Sequence, residues 1–165
     1  MKDKAEIVRD WLPRYTGRRL EEFGQYVLLV NFSNYVELFA ERFGVPVVGR
    51  DRPMLSATAE DITILSFGMG SAMAATTMDL LSAVDPKAVL FLGKCGGLKK
   101  TKLGDFILPI AAIRGEGTSN EYMPPEVPAL PMPKLRIVMS SAVAESIGRS
   151  RPATGTPNRS AKSST

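Results

Sequence analysis

Short continuous runs of apolar residues alternate with segments of helical periodicity along the N-terminal part of the chain. Three runs, at residues 26–30, 61–67 and 88–93, are apolar at most positions, as is typical of strands buried on both faces of a parallel sheet. A fourth extended run covers residues 105–114, where Pro109 indicates an edge strand, a bulge or a break. The pattern therefore predicts four strands.

Helical patterns accompany these strands. The first predicted helix covers residues 3–13, with Asp3 and Glu6 spaced as a capping box and Pro13 at its end. Another helix follows the glycine-rich turn after the second strand and covers residues 72–84. Both helices flank predicted strands.

A further helix is predicted between the first two strands. Asn34 and Glu37 are spaced as a second capping box at its start, and Gly44 is its C-cap. Because helices alternate with apolar strands, the sequence predicts an α/β fold with right-handed crossovers. Its sheet is expected to be mainly parallel or mixed and to be flanked by helices.

The character of the sequence changes after residue 130. A helix is compatible with residues 141–148, but residues 149–165 contain almost no large apolar side chain. Such a segment cannot bury enough surface to offset the entropy lost on ordering. The sequence therefore predicts an α/β domain over residues 1–130 and a disordered tail over residues 131–165.

The composition is that of an ordinary globular protein. The chain has 165 residues, of which 44% are hydrophobic and 23% are charged. No apolar run approaches the roughly 20 residues that a membrane helix needs, and the charged N-terminus is unlike a signal peptide. These features predict a cytoplasmic protein with no membrane partner.

Charge and the rare residue types exclude several functions. The net charge of +4 arises near the C-terminus and leaves the rest close to neutral, so no nucleic-acid partner is predicted. The absence of histidine excludes Ser-His and Cys-His nucleophile pairs and most transition-metal sites. A single cysteine cannot form an internal disulfide. No metal site is predicted.

The turn "GMGS", residues 68–71, is a candidate anion site. Ligands of parallel α/β sheets gather beyond the carboxyl ends of strands, where this turn is expected. Gly68 and Gly70 would let the backbone approach a ligand closely, and Ser71 opens a helix whose N-terminus carries partial positive charge. The alternative is a tight turn without a ligand.

Two nucleotide-binding motifs do not fit the sequence. The loop "GKCGG", residues 93–97, is not a phosphate loop, because Ala88 stands where glycine is needed and Cys95 where serine or threonine is needed. Met73 occupies the third glycine position of the dinucleotide motif, so a dinucleotide-dependent oxidoreductase is disfavoured. The loop is suited to hydrogen-bonding a flat ligand through its backbone, or it is a structural turn.

The loop "IRGEGTSNEY" follows the fourth extended run. It combines an arginine, a carboxylate and two hydroxyls in Arg114, Glu116, Thr118 and Ser119. That combination is suited to a polar ligand, and a solvated charged loop is the alternative.

Three stretches together resemble the nucleoside phosphorylase and nucleosidase family: "ITILSFGMGSAMAATTMDLL", "AVLFLGKCGGL" and "LGDFILPIAAIRGEGTS". Within the family the chain resembles most the bacterial AMP nucleosidases, which cleave AMP to adenine and ribose 5-phosphate. The resemblance covers about residues 1–130. It implies a nucleoside-phosphorylase-like fold that is incomplete at the C-terminus, AMP hydrolysis without cofactor, a purine nucleotide, phosphate or ribose phosphate as ligand, and a homo-oligomer.

The resemblance also implies substrate-binding positions in four segments. They are Asn31 in the first phosphate-side loop; Gly68, Met69, Gly70 and Ser71 in the turn on the phosphate and ribose side; Lys94, Cys95 and Gly96 along the base; and Arg114, Glu116 and Thr118 in the loop that closes near the substrate.

The sequence departs from the family in its catalytic motifs. Family members protonate the leaving base with an aspartate of a Ser-Asp motif and hold the ribose with a Met-Glu motif, and neither "SD" nor "ME" occurs here. Protonation of this kind accelerates reactions roughly 10²–10⁴-fold. The catalytic residue is therefore unassigned, with Glu116 a weak candidate.

Three alternatives to AMP hydrolysis stay open at this point. Two share the fold, namely a nucleoside phosphorylase and a methylthioadenosine nucleosidase. The third is a catalytically inactive nucleotide-binding fragment.

Overall fold

The computed structural model describes residues 3–99 and 101–149. Four α-helices and four strands are found within these ranges. The helices are α1 (Lys4–Thr16), α2 (Ser33–Phe43), α3 (Ser71–Leu81) and α4 (Pro133–Arg149), and the strands are β1 (Tyr26–Val30), β2 (Leu55–Ala59), β3 (Ile62–Ser66) and β4 (Ala88–Leu92). Two short 3₁₀ turns cover Leu20–Glu22 and Thr118–Glu121.

The strands form one mixed sheet in the order β2-β3-β1-β4. The central strand β1 pairs in parallel with β3 and with β4, and β2 pairs with β3 in antiparallel orientation. Val30 lies opposite both Ser66 and Leu92, so the carboxyl ends of three strands are level. The predicted α/β fold with a mainly parallel or mixed sheet is confirmed.

Both faces of the sheet are covered by helices. On one face, Val27 and Leu29 of β1 and Leu65 of β3 form a buried cluster with Leu12 of α1 and Leu80 of α3. On the other face, buried residues of the sheet pack against Val36 and Ala40 of α2. The apolar runs of β1 and β3 follow from this arrangement, because these two inner strands bury both of their faces.

Strand β2 was not predicted from the sequence. It forms a hairpin with β3 through Glu60 and Asp61, whose φ angles are +48° and +66°. Two-residue hairpin turns need positive φ angles and usually contain asparagine or glycine, so "ED" gives a weak turn signal. Asp61 also accepts hydrogen bonds from the backbone amides of Gln25 (2.9 Å) and Tyr26 (3.2 Å), which ties the hairpin to the start of β1.

Helix α1 begins as predicted and ends later. The Asp3 carboxylate accepts a hydrogen bond of 2.7 Å from the Glu6 amide, which confirms the N-cap. Pro13 does not end the helix, contrary to the prediction, and lies inside its last turn. The helix ends at Gly17, which has a φ of +70° and donates to the Pro13 carbonyl at 2.8 Å.

Helix α2 begins one residue before Asn34. Its N-cap is Phe32, which makes no side-chain capping bond, so the predicted second capping box is wrong. Glu37 instead accepts two hydrogen bonds from Arg50, of 2.7 and 2.9 Å. The predicted C-cap is confirmed, since Gly44 is left-handed with a φ of +64°.

The fourth predicted strand is absent from the described part of the chain. Over residues 105–114 only Ala112 makes a bridge, with Ala129, and Pro109 removes a backbone donor within the run. Helix α4 includes the segment 141–148 that is compatible with a helix. Residues 150–165 lie outside the described residues, and the domain division at residue 130 stays a prediction.

We predict that Leu65→Ala lowers the free energy of unfolding by about 2–5 kcal/mol, because Leu65 is fully buried in the larger cluster and its loss leaves a cavity. Urea unfolding followed by circular dichroism measures the change. Leu38→Ala on α2 is the matched control, since Leu38 is 58% exposed, and its effect should stay within about 0.5 kcal/mol. Equal effects of the two variants would contradict the assigned core.

Candidate functional site

Three loops that carry predicted site residues leave the sheet at the carboxyl ends of its parallel strands. They follow β1, β3 and β4, whose carboxyl ends are level. The Phe67 amide donates to the Val30 carbonyl at 3.1 Å, which extends the pairing of β1 and β3 by one residue. Ligands of α/β sheets bind beyond this kind of edge.

The glycine turn 68–71 has the backbone geometry that its sequence suggests. Gly68 and Gly70 have φ angles of +79° and +100°, and Gly70, at ψ +151°, lies in a region that is essentially restricted to glycine. A Cβ atom at either position would meet nothing within 4 Å, so the backbone conformation and not crowding requires glycine. Gly70 is the N-cap of α3 and no side chain caps the helix. The turn is therefore open to a ligand.

Helix α3 contacts the loop that carries Glu116. Ser71 Oγ lies 3.0 Å from Thr118 Oγ1, and the two hydroxyls share a hydrogen bond. The Glu116 carboxylate accepts hydrogen bonds from the backbone amides of Thr118 (2.9 Å) and Ser119 (3.0 Å). The structure thus brings Ser71, Glu116 and Thr118 together.

A concave volume of about 400 Å³ lies at this contact. Its walls come from α3 and from the loop that carries Glu116. The lining residues are Ser71, Ala74, Ala75, Met78, Glu116, Thr118, Ser119 and Tyr122. Helix α3 contributes a largely apolar wall and the loop contributes the carboxylate, so the hollow suits a ligand with both apolar and hydrogen-bonding parts.

Hydrogen bonding holds Glu116 in its charged form. The Ser119 hydroxyl and amide, followed by the Ser71 hydroxyl, lower the pKa of Glu116 to about 2. A carboxylate with this pKa is ionised at neutral pH and accepts hydrogen bonds, whereas a general acid needs a pKa near the working pH. The geometry therefore favours a binding or orienting role for Glu116 over proton donation.

Arg114 is engaged by its own loop. Its guanidinium donates to Ser119 Oγ at 3.1 Å and to the carbonyls of Met123 (2.6 Å), Pro124 (2.6 Å) and Val127 (3.0 Å), and it also donates to the Ser119 carbonyl. A guanidinium offers five N–H donors, so these five contacts engage all of them. Arg114 organises the loop in this structure.

The far end of the loop is attached to α3 by residues that the sequence did not suggest. The Tyr122 hydroxyl donates to Asp79 Oδ2 at 3.1 Å, and Lys4 Nζ donates to Asp79 Oδ1 at 2.8 Å. The bond to Lys4 lowers the pKa of Asp79, and the bond to Asp79 raises the pKa of Tyr122. Partners that lie 43 and 75 residues apart in sequence leave no local signal.

Lys94 lies in a second group of residues beside β1. Its ammonium is 5.1 Å from the Phe32 ring centroid and 5.4 Å from that of Tyr35, distances at which a cation and an aromatic face attract. The neighbouring Asn31 has a buried side-chain oxygen that finds no hydrogen-bond partner among the described residues. Buried acceptors without a partner are unusual in native proteins. Sequence reasoning named Asn31 and Lys94 and missed the two rings.

The other predicted site residues lie on the surface. Met69 is 70% exposed, and Cys95 and Gly96 are exposed as well. Cys95 lines a separate hollow of about 230 Å³, and the other lining residues are Gly97, Leu98, Thr101, Lys102, Leu103, Gly104, Asp105 and Ile107. The predicted positions therefore fall into a group around Ser71 and a group around Lys94. Their binding roles stay predictions.

Comparison with known proteins gives the family context of this site. The sequence model of the Phosphorylase superfamily matches residues 25–156, past the boundary at residue 130 suggested by composition. The solved structure of AMP nucleosidase from Bacteroides thetaiotaomicron is 59% identical, with a TM-score of 0.83, over 88% of this chain and 62% of that one. Purine nucleoside phosphorylase from Toxoplasma gondii, 22% identical with a TM-score of 0.70 over 79% of this chain and 55% of that one, shares the fold.

Curated relatives point the same way. AMP nucleosidase from Escherichia coli K12 is 24% identical over 155 residues, which cover 71% of this chain and 32% of that protein. Uridine phosphorylase from Treponema pallidum is 30% identical over 123 residues, which cover 71% of this chain and 48% of that protein. The chain thus spans between a third and a half of these relatives.

None of the described helices is both long enough and apolar enough to cross a membrane.

We predict that Ser119→Ala raises the pKa of Glu116 from about 2 toward its usual 4.5, because the variant loses the hydroxyl that most favours the charged form. A carbon-13 NMR titration of the Glu116 carboxyl measures the pKa. Since the folded pKa is depressed, Glu116 stabilises the loop fully above about pH 4.5. That contribution is lost as the pH falls toward 2.

Ser82→Ala is the control for this titration. The Ser82 hydroxyl donates to the Asp79 carbonyl at 2.6 Å, near the other end of α3, so its removal should leave the pKa of Glu116 unchanged. An unaltered pKa in Ser119→Ala would show that Ser119 does not hold the carboxylate.

Proposed function

The chain belongs to the Phosphorylase superfamily, and we propose from this that it forms the N-terminal part of an enzyme that hydrolyses the N-glycosidic bond of AMP to adenine and ribose 5-phosphate. The observation that supports this most is the 59% identity, at a TM-score of 0.83, with the AMP nucleosidase from Bacteroides thetaiotaomicron. Because the chain covers 62% of that protein, the activity is proposed for the complete enzyme.

In this proposal the 5′-phosphate binds at the glycine turn before α3. The amides at the start of α3 receive no side-chain cap, and the helix N-terminus favours negative charge. Each backbone bond to a charged acceptor contributes about 1.5–3 kcal/mol. A Cβ atom at Gly68 or Gly70 would have no neighbouring atom within 4 Å, so the turn is uncrowded at both positions.

The ribose is assigned to the side of the turn that faces Glu116. An ionised carboxylate repels a phosphate and accepts hydrogen bonds from sugar hydroxyls, so Glu116 separates the two parts of the ligand. Ser71 and Thr118 complete this side, because their hydroxyls meet at 3.0 Å. Arg114 acts indirectly by holding the loop that presents Glu116.

The base is assigned to the loop that carries Lys94, Cys95 and Gly96, which follows β4 at the same edge of the sheet. No Ser-Asp pair occurs in the sequence, so the proton for the departing adenine would come from a part of the enzyme that this chain does not span. The described residues then serve binding and orientation.

Phosphorolysis is the second candidate, and a specific relative favours it. Uridine phosphorylase from Treponema pallidum is 30% identical over 123 residues. In that case inorganic phosphate would occupy the glycine turn and the substrate would be a nucleoside.

We predict that the purified chain binds AMP but releases adenine at least roughly 100-fold more slowly than the chain extended with the remaining segment of the Bacteroides thetaiotaomicron relative, because leaving-group protonation contributes about 10²–10⁴ in rate. Calorimetry measures binding and chromatography measures adenine. Adenosine in place of AMP is the substrate control. Release from the extended chain only when phosphate is added would favour phosphorolysis, and failure of both proteins to bind AMP would refute the proposal.

We predict that Gly70→Ala weakens AMP binding by roughly tenfold or more, because alanine in this backbone region costs on the order of 1–3 kcal/mol. Gly115→Ala is the matched control, since Gly115 lies in open space and has no positive φ. Calorimetric titration of both variants measures the difference. Equal affinities would show that the turn geometry is not used for the ligand.

A further inference from the structure

The loop that carries Glu116 is attached to α3 at two points. At the start of the helix, the hydroxyls of Ser71 and Thr118 lie 3.0 Å apart and share a hydrogen bond. Near the end of the helix, the Tyr122 hydroxyl donates to Asp79 Oδ2 at 3.1 Å. Ser71 and Asp79 are eight residues apart on α3, which corresponds to about 12 Å along the helix axis. The loop therefore lies along roughly two turns of α3.

The hollow of about 400 Å³ lies between these two attachments. Ala74 and Ala75 of α3 line it, and both positions fall between Ser71 and Asp79 in the sequence. Alanine carries only a methyl group, so these side chains fill little of the space between the helix and the loop. The distance between helix and loop therefore depends on the two attachments more than on packing in the middle.

Tyr122 is both a wall of the hollow and one of its attachments. Its side chain lines the hollow, and its hydroxyl is bonded to Asp79. The residue is 53% exposed, and the 3₁₀ turn Thr118–Glu121 that precedes it contains no buried residue. Burial in the core therefore does not fix the position of Tyr122. The hydrogen bond to Asp79 supplies the constraint that burial does not.

Asp79 is itself oriented by the first helix. Lys4, the first residue of α1, donates to Asp79 Oδ1 at 2.8 Å, which leaves Oδ2 for the Tyr122 hydroxyl. The side chains of Lys4 and Asp79 are 71% and 37% exposed. Exposed ion pairs contribute little to global stability. Substitution of Asp79 should therefore release Tyr122 without unfolding the chain.

We propose that Asp79 is a positioning residue of the candidate site, which holds Tyr122 at the distance from α3 that fits the ligand of the hollow. Asp79 does not itself line the hollow, so it acts through Tyr122. The inference rests on the proposed function, in which the ribose of AMP lies on the side of the glycine turn that faces Glu116. A loosened Tyr122 would leave the hollow without a fixed wall, and a ligand would have to order that wall on binding.

Three variants separate the hydrogen bond from the side chains that make it. Tyr122→Phe keeps the ring in the hollow and removes the hydroxyl, and Asp79→Ala removes the acceptor. Asp79→Asn keeps an amide that hydrogen-bonds the hydroxyl as acceptor or as donor. We expect calorimetry on the purified chain to show roughly fivefold or more weaker AMP binding in the first two variants, with Asp79→Asn within about twofold of the unmodified chain.

Tyr26→Phe is the matched control for the loss of a tyrosine hydroxyl. Tyr26 is 45% exposed and lies opposite Ile62 and Ala88 at the amino ends of the parallel strands, away from the candidate site. Its removal should leave AMP binding unchanged. Circular dichroism verifies that each variant is folded.

A double variant distinguishes one shared role from two separate ones. If Asp79 acts through Tyr122, Asp79→Ala combined with Tyr122→Phe should bind AMP as weakly as either single variant and no more weakly. Losses that multiply in the double variant would show that the two residues act independently. That result would overturn the proposal.

A measurement without ligand tests the attachment directly. The bond to Asp79 raises the pKa of Tyr122, so Asp79→Ala should lower this pKa toward the usual 10.0 in an NMR titration of the tyrosine ring. Hydrogen exchange at the bonded amides of Asn120, Tyr122 and Met123 should become roughly fivefold faster or more in the same variant. If both quantities stay unchanged, Asp79 does not hold Tyr122 and the proposal is refuted.

Failure of this inference and failure of the proposed function give different results. If the unmodified chain binds AMP and the variants bind it equally well, the positioning role alone is refuted. If the unmodified chain binds neither AMP nor adenosine, the proposed function is refuted and the positioning role with it.

Discussion

Parallel pairing of β1 with both β3 and β4 is the constraint on which the rest of the structure depends. The register places Val30 opposite Ser66 and Leu92, so the loops after all three strands start from one line. Residues that are far apart in the sequence can meet there without any specific attraction between the loops. The central position of β1 requires it to be apolar on both faces, which explains its run of aliphatic residues from Val27 to Val30.

The sequence predicted the elements whose signal is local. The predicted bounds of β1 agree with the structure to the residue. A run of five apolar residues between helical segments is most simply a strand that helices cover on both faces. Strand β2 was not predicted, because alanine, serine and threonine dominate "LSATA" and the turn that follows it lacks glycine. The strand predicted over residues 105–114 was wrong for the opposite reason. Its composition is strand-like, but the described residues provide no partner strand for it.

The candidate site was predictable in its parts and not in its assembly. The glycine turn and the polar loop were visible as motifs, but the hydrogen bond between Ser71 and Thr118 joins residues 47 positions apart. The aromatic rings beneath Lys94 likewise depend on tertiary packing. Arg114 shows this limit most clearly, because the sequence does not distinguish an arginine that is free to bind a ligand from one whose donors are used by its own loop.

The saturation of Arg114 also bears on how a ligand would associate. A flexible loop loses conformational entropy when it closes over a ligand, and this loss reduces affinity. Here the guanidinium already joins Ser119 to Met123, Pro124 and Val127 before any ligand arrives. Because the loop is ordered during folding, a ligand that bound beside it would meet a preformed wall and would lose little favourable free energy to induced fit.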